Sequence, residues 1–340
     1  MKKQKIKLVT FIVLLASVSV NFYSQNSKLL LDKFGSWKVV DWGVYTHYNC
    51  GFTKTETSAN YQKLLNITER ARQNPVFLEL KGFDCLPTFF ARSCNNNYFY
   101  GIPSFIHFEF HTWSLNKAGK EIRWDIEPPH WDISVNNLRL DMAGEKASSN
   151  VPPSEAKKGF NKTKFDDATN RMNALFQTPG LKETIAPGVD RYGETVIIYN
   201  PSRPAFWEQV TLKEVYQILL DYWQAYPDEI TSNITVEMLN QTYDSFSESE
   251  KNGFAYASGA LMGEYGSDDS HSPIVRVNSA YWNKKLPRSS VQIISFKCPA
   301  DKDYLDGEMK ANLKNNGGTY HVNRFLKSLD PLMFTNSIDK

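Results

Sequence analysis

The chain has 340 residues, with 39 Lys and Arg against 37 Asp and Glu, for a formal net charge of +2. That length allows one large domain or two of ordinary size. The near-neutral, mixed charge excludes a nucleic-acid binder held by phosphate contacts.

Residues 1–24 read as a secretory leader. Lys2, Lys3, Lys5 and Lys7 make a basic start. The apolar run at 8–20 is shorter than the about 20 residues of a membrane helix. Cleavage fits after Ser19 or after Ser24. Removing the leader takes away four lysines and no acid, which turns the net charge from +2 to −2. No cysteine follows the apolar run before Cys50, so a lipid-anchored start is not expected. No second long apolar stretch follows, which predicts a soluble mature chain in the periplasm or outside the cell.

An oxidising compartment makes disulfides expected among Cys50, Cys85, Cys94 and Cys298. Cys85–Cys94 closes the shortest loop and Cys50–Cys298 would remain, although four cysteines allow three pairings. None forms a C-x-x-C, so neither a redox motif nor a zinc knuckle is indicated. The acceptor sequons at Asn66, Asn161, Asn233 and Asn240 matter only in a glycosylating host.

Residues 25–142 form an N-terminal α+β region. It begins with a short strand at 37–45, a helix at 57–73 ended by Pro75, and a strand at 76–80. Residues 84–100 read as an aromatic loop in which Phe89, Phe90 and Tyr98 to Tyr100 offer a surface for a ligand.

The stretch at 105–133 holds three of the six histidines and three of the eight tryptophans. Ile106, Phe108 and Phe110 alternate with His107, Glu109 and His111, the period of a strand with one buried face. A turn-like Asn116 to Lys120 follows, then Ile122, Trp124 and Ile126 alternate with Arg123, Asp125 and Glu127. This predicts a hairpin over 105–127 whose loop is 117–119. The apolar residues must share a face, so Trp113 falls opposite Arg123, His111 opposite Asp125, and Glu109 opposite Glu127.

Three kinds of chemistry fit that polar face. His111 with Asp125 makes an ion pair, a base with its orienter, or a metal ligand with its support. His107 and His111, four residues apart on a strand, are about 13 Å apart and do not share an ion. A metal set is then Glu109 with one of the two histidines, completed across the hairpin by Asp125 or Glu127, and suited to Zn²⁺ or another divalent transition metal; the hydrolase reading takes Glu109, His111 and Asp125 as ligands and Glu127 as base. Glu109 and Glu127, facing across the hairpin, suit an acid and base on a glycosidic bond. Trp113, His130 and Trp131 are placed to line a ligand at its rim. The plain alternative is a hairpin with ordinary cross-strand pairs.

Beyond the hairpin, Ser134 reads as the cap of a short helix at 135–140. Residues 143–164 are polar, include Pro152 and Pro153, and read as a linker. The C-terminal α+β region, 165–340, starts with an amphipathic helix at 165–177 and a strand at 194–199. Thr211 with Glu214 makes a capping box for the helix behind it, striped by Leu212, Val215, Leu219 and Tyr222. Ser247 with Glu250 makes a second box, before a helix carrying Phe254, Ala257, Ser258 and Leu261. Strands at 273–278 and 290–297 and helices at 302–314 and 320–329 complete the region. The acids from Asp301 to Asp306 lack the positions of a calcium loop and read as a helix start. Residues 122–140 and 195–216 share an order of strand, prolines, Trp, acid and cap, a hint of two weakly related halves.

The fold class is α+β: antiparallel hairpins or sheet packed with several amphipathic helices. No phosphate loop, dinucleotide fingerprint or H-E-x-x-H is present. Aromatic residues make up 14% of the chain, many of them in loops near prolines. They favour a non-catalytic periplasmic or surface binding protein for a glycan or an envelope protein. The rival is a metal-dependent hydrolase or carboxylate-pair glycosidase on the hairpin's polar face.

Overall fold

The computed structural model describes residues 28–40, 51–91, 100–138, 141–142, 155–178, 182–257 and 265–340. The expected leader, Cys50, Cys94, Ser258, Leu261 and much of the 143–164 linker lie outside these residues. The fold is α+β with antiparallel sheets.

In chain order, β1 (Lys28–Leu29), α1 (Lys54–Arg72), α2 (Pro75–Glu79), β2 (Phe83–Ala91), β3 (Ser104–Leu115), β4 (Glu121–Arg123), β5 (His130–Val135) and β6 (Asp141–Met142) come first. Then follow α3 (Lys162–Met172), β7 (Phe176–Gln177), β8 (Lys182–Ala186), β9 (Val189–Tyr192), β10 (Thr195–Tyr199) and β11 (Trp207–Gln209). The remainder is α4 (Leu212–Ala225), α5 (Glu229–Asp244), α6 (Glu248–Asn252), β12 (Tyr256–Ala257), β13 (Tyr265–Gly266), β14 (Ile274–Val277), β15 (Ile293–Lys297), α7 (Lys302–Asn315) and α8 (Tyr320–Ser328).

The main sheet runs β1-β3-β5-β15-β10-β9-β8, with β2 and β4 also paired to β3. It crosses the division expected from sequence, because β5 from the first region pairs with β15 from the second. A smaller sheet runs β11-β14-β7-β6. The 3₁₀ segment Pro331–Ser337 packs on α1.

The alternation of β3 decides where the core lies. Ile106, Phe108 and Phe110 are wholly buried. They join Phe77 of α2, Phe83 of β2, Trp131 of β5 and Phe325 of α8 in the principal cluster. Phe77 stacks on Phe325 with centroids 4.5 Å apart. Packed aromatic pairs of this kind add about 0.5–1.5 kcal/mol each beyond the area they bury.

Several elements depart from sequence expectation. Residues 76–80 are not a strand: Asn74 caps Val76 N–H, Pro75 supplies the first helical residue, and α2 forms. The helix expected at 135–140 is absent among the described residues. Ser134 is a buried strand residue opposite Ser295, not a cap. The second capping box forms, but its helix stops at Asn252, where Gly253 is extended, and Phe254 and Ala257 fall outside it. Trp131 and Trp207 both lie in strands, but the suggested repeat is not kept beyond them, since Ser134 stays in β5 where Thr211 caps α4.

Cys85 and Cys298 are free and buried in the principal core, so neither makes the bridge expected of it. Cys85 lies opposite Phe110 on the apolar face of β2. Burial pushes its thiol well up, and Glu109 and Asp84 add to the effect.

Candidate functional site: a polar strip on the main sheet

The face of β3 opposite the core carries the chemistry. On β2, Asp84 falls opposite His111, Leu86 opposite Glu109 and Thr88 opposite His107. Across β3 the hairpin register holds at first, with Trp113 opposite Arg123. Trp124 N–H still donates to Thr112 O at 2.9 Å. The chain then leaves the sheet. Glu127 turns at φ 46°, Pro128 and Pro129 follow, and β5 takes over the pairing. Glu109 therefore faces His130, and His107 faces Asp132.

The Glu109–Glu127 pair expected for glycosidic chemistry is not formed by this register. Glu127 is exposed and outside the strands, and Pro128 and Pro129 bar continuation of the ladder. Trp131, expected at a ligand rim, points into the core instead. It is 3% exposed, packs on Phe108 and Phe325, and donates from Nε1 to Lys297 O at 2.8 Å.

The polar side chains form one connected strip. At one end Lys33 Nζ sits 3.7 Å from the centroid of Trp113. Trp113 Nε1 donates to Asp84 Oδ1 at 3.4 Å, and Arg123 donates to Asp84 Oδ2 at 2.9 Å and to Asp125 Oδ1 at 2.6 Å. Asp125 Oδ1 lies 3.0 Å from His111 Nδ1, and Glu109 Oε2 lies 3.0 Å from His111 Nε2. Glu109 Oε1 is 3.5 Å from His107 Nε2, and His107 Nδ1 is 2.5 Å from Asp132 Oδ1. His130 lies beside His107, with ring centroids 4.4 Å apart and the ring planes tilted by 42°. Phe90 and Phe105, stacked at 4.8 Å, end the strip, and both set their rings edge-on to His107.

Burial alone would raise the Asp84 carboxyl. Hydrogen bonds from Arg123, Ser36 and Trp113 outweigh it and hold Asp84 below the ordinary aspartate value. Its hydrogen bond to Asp84 also raises Arg123. This end of the strip is an ion pair fixed in its charged state.

The expected metal set, Glu109, His111 and Asp125, is brought together but does not converge. His111 touches the two carboxylates through opposite ring nitrogens, so no single point lies between all three. Among the described residues a different trio converges. One donor atom each from His107, His130 and Asp132 lies within 4.8 Å of the others. Asp132 is 7% exposed in its side chain and His107 17%, while His130 is open to solvent. Sequence reasoning placed His130 at a ligand rim but missed its link to His107 and Asp132. The visible signal was a second alternation, His130, Trp131, Asp132, able to pair with His107, Phe108, Glu109 from beyond the prolines.

Two imidazoles and a carboxylate suit Zn²⁺ and other divalent transition ions, and three ligands leave positions open. Bonds near 2.0–2.2 Å need donors closer than 4.8 Å, so the side chains would draw together on an ion. No family model, curated protein or solved structure matches the chain.

Proposed function

We propose that the chain binds a divalent transition metal through His107, His130 and Asp132 and uses it to hydrolyse a substrate laid along the polar strip. The observation that carries this reading is the convergence of those three donors on one face of a rigid sheet. An ion held there would polarise a bound water and the substrate oxygen. Glu109, 3.5 Å from His107, is the neighbouring carboxylate able to take a proton from that water. The strip is open to solvent at His130, where a substrate can enter. The basic, then apolar N-terminus supports export, so the reading places this chemistry in the periplasm or outside the cell.

Metal titration by calorimetry, followed by assays on ester, phosphoester and peptide substrates, tests the reading. Zn²⁺ or Mn²⁺ binds with one-to-one stoichiometry. His107→Ala and Asp132→Ala remove that binding while folding normally. Glu109→Gln keeps the metal and loses turnover. A folded wild-type protein that takes up no metal, or variants that bind it equally well, would overturn the proposal.

A second reading is non-catalytic recognition of a glycan or protein partner. Phe90, 38% exposed and stacked on Phe105 at the end of the strip, favours it. Among the described residues, many of the other aromatic side chains are buried in the core and give it no support. It predicts ligand binding lost in Phe90→Ala, with no turnover in the metal-loaded protein.

A further inference from the structure

Away from the strip, a cavity of about 370 Å³ opens between α1 and the C-terminal segment. That volume falls at the small end of pockets that hold metabolites. Its lining carries three cations, Lys63, Arg70 and Lys340, against one side-chain carboxylate, Glu69. Glu69 is already faced by Arg72 at 3.6 Å. Among the lining side chains, cations therefore outnumber anions.

Among the described residues, Lys63, Arg70 and Lys340 make no ion pair. Lys63 Nζ reaches only the Ser289 and Ser290 hydroxyls, at 3.4 and 3.5 Å. It is partly buried, and that burial pulls its ammonium below the ordinary lysine value. Beside it, the Ser337 hydroxyl lines the cavity, is buried, and has no hydrogen-bond partner. Buried polar groups without partners are rare in native proteins and call for an explanation.

The wall is fixed rather than frayed. Val291 N–H donates to Lys340 O, and Asp339 N–H to Val291 O. Asp339 is also held by Arg203 at 2.5 Å and Asn200 at 2.6 Å. Ile67 and Val291 give an apolar floor, while Asn66, Gln73 and Asn336 offer both donors and acceptors.

We propose that this cavity binds a small phosphomonoester with a hydroxyl-bearing body, of the size of a sugar phosphate. Lys63 and Arg70 neutralise the phosphate, the Ser337 hydroxyl donates to one of its oxygens, and the amide side chains meet the hydroxyls. Arg recognises phosphate through paired N–H donors and Lys as a point charge.

The test is calorimetry on the full chain with glucose 6-phosphate, inorganic phosphate and glucose, in EDTA and at two salt concentrations. Glucose 6-phosphate binds saturably and more weakly at higher salt, and glucose does not bind. Lys63→Met and Arg70→Met each weaken binding at least tenfold, and Ser337→Ala weakens it severalfold, with melting temperatures near wild type. Absence of saturable phosphate-ester binding would overturn the proposal, as would equal binding by both cation variants. Inorganic phosphate binding as tightly as the ester would overturn the hydroxyl-bearing body. Binding lost in His107→Ala and kept in Lys63→Met would move the phosphate to the polar strip and refute this site.

Discussion

His321 on α8 provides the sharpest quantitative prediction. Its side chain is wholly buried, and neither ring nitrogen has a hydrogen-bond partner. The ring packs on Phe83 with centroids 4.7 Å apart. A Cβ added at Gly82, whose φ is +91°, would lie 2.5 Å from its Cε1. Burial, with a further contribution from the Arg324 charge, lowers its pKa from 6.5 to about 3, against a small opposing effect of the Gly82 backbone.

The unfolded chain therefore takes up a proton near pH 6.5 that the folded chain refuses until about pH 3. Stability is full above 6.5 and is lost as the pH falls through that window, by about 1.4 kcal/mol per pH unit. At pH 5 the loss is about 2 kcal/mol. His321→Leu keeps similar volume and removes this proton. Urea unfolding followed by tryptophan fluorescence at pH 8, 7, 6 and 5 gives the difference between the two proteins. That difference moves in the variant's favour by about 2 kcal/mol between pH 8 and pH 5. Parallel profiles across that range would refute a buried neutral histidine.

Three further outcomes follow from contacts already described. Arg123→Met strands Asp84, 7% exposed, without its main partner. A loss of about 1.5–3 kcal/mol at pH 7 is expected in urea unfolding, and it shrinks as the pH falls from the ordinary aspartate value toward Asp84's lowered one. Phe108→Ala empties the centre of the aromatic cluster and costs about 3–5 kcal/mol, read as a shift in the urea midpoint. Cys85 and Cys298 resist iodoacetamide in the native protein and react fully in urea without reductant; a disulfide-linked peptide containing either, seen by mass spectrometry, would contradict their placement in the core.

The parts of this fold legible in the sequence are those set by near neighbours. The capping boxes at Thr211 and Ser247 form because each needs only a side chain and an amide three residues on. The two faces of β3, the facing of Trp113 and Arg123, and the contact of His111 with Asp125 follow from period-two alternation and one turn. What lay beyond reach was decided by distant partners. Pro128 and Pro129 mark locally that the hairpin ladder ends, but which strand the alternation at 130–132 pairs with, and so that Glu109 is set against His130, is decided by the sheet. The metal-capable trio depends on that exchange, as does the loss of the Glu109–Glu127 pair. Export chemistry suggested disulfides, but Cys85 sits on the apolar face of its strand, where packing governs it. Leu80 illustrates the same limit: Val76 to Leu80 is β-branched and apolar enough for a strand, yet Asn74 and Pro75 start a helix that ends on Leu80 at φ 39°.

The position of β15 has a consequence for the order in which the molecule is made. It lies between β5 and β10, yet Val135 and its partner Ile294 are separated by nearly half of the chain. Until residues 293–297 are available, β5 and β10 each present an unpaired edge, and the half-sheets on either side have nothing to join them. Contacts of such long sequence range are entropically late and slow to form. A chain stopped short of Ile293 holds exposed, hydrogen-bond-hungry strands rather than a smaller native domain. Closure of the main sheet is thereby deferred until residues 293–297 have been made, late in the synthesis of the chain.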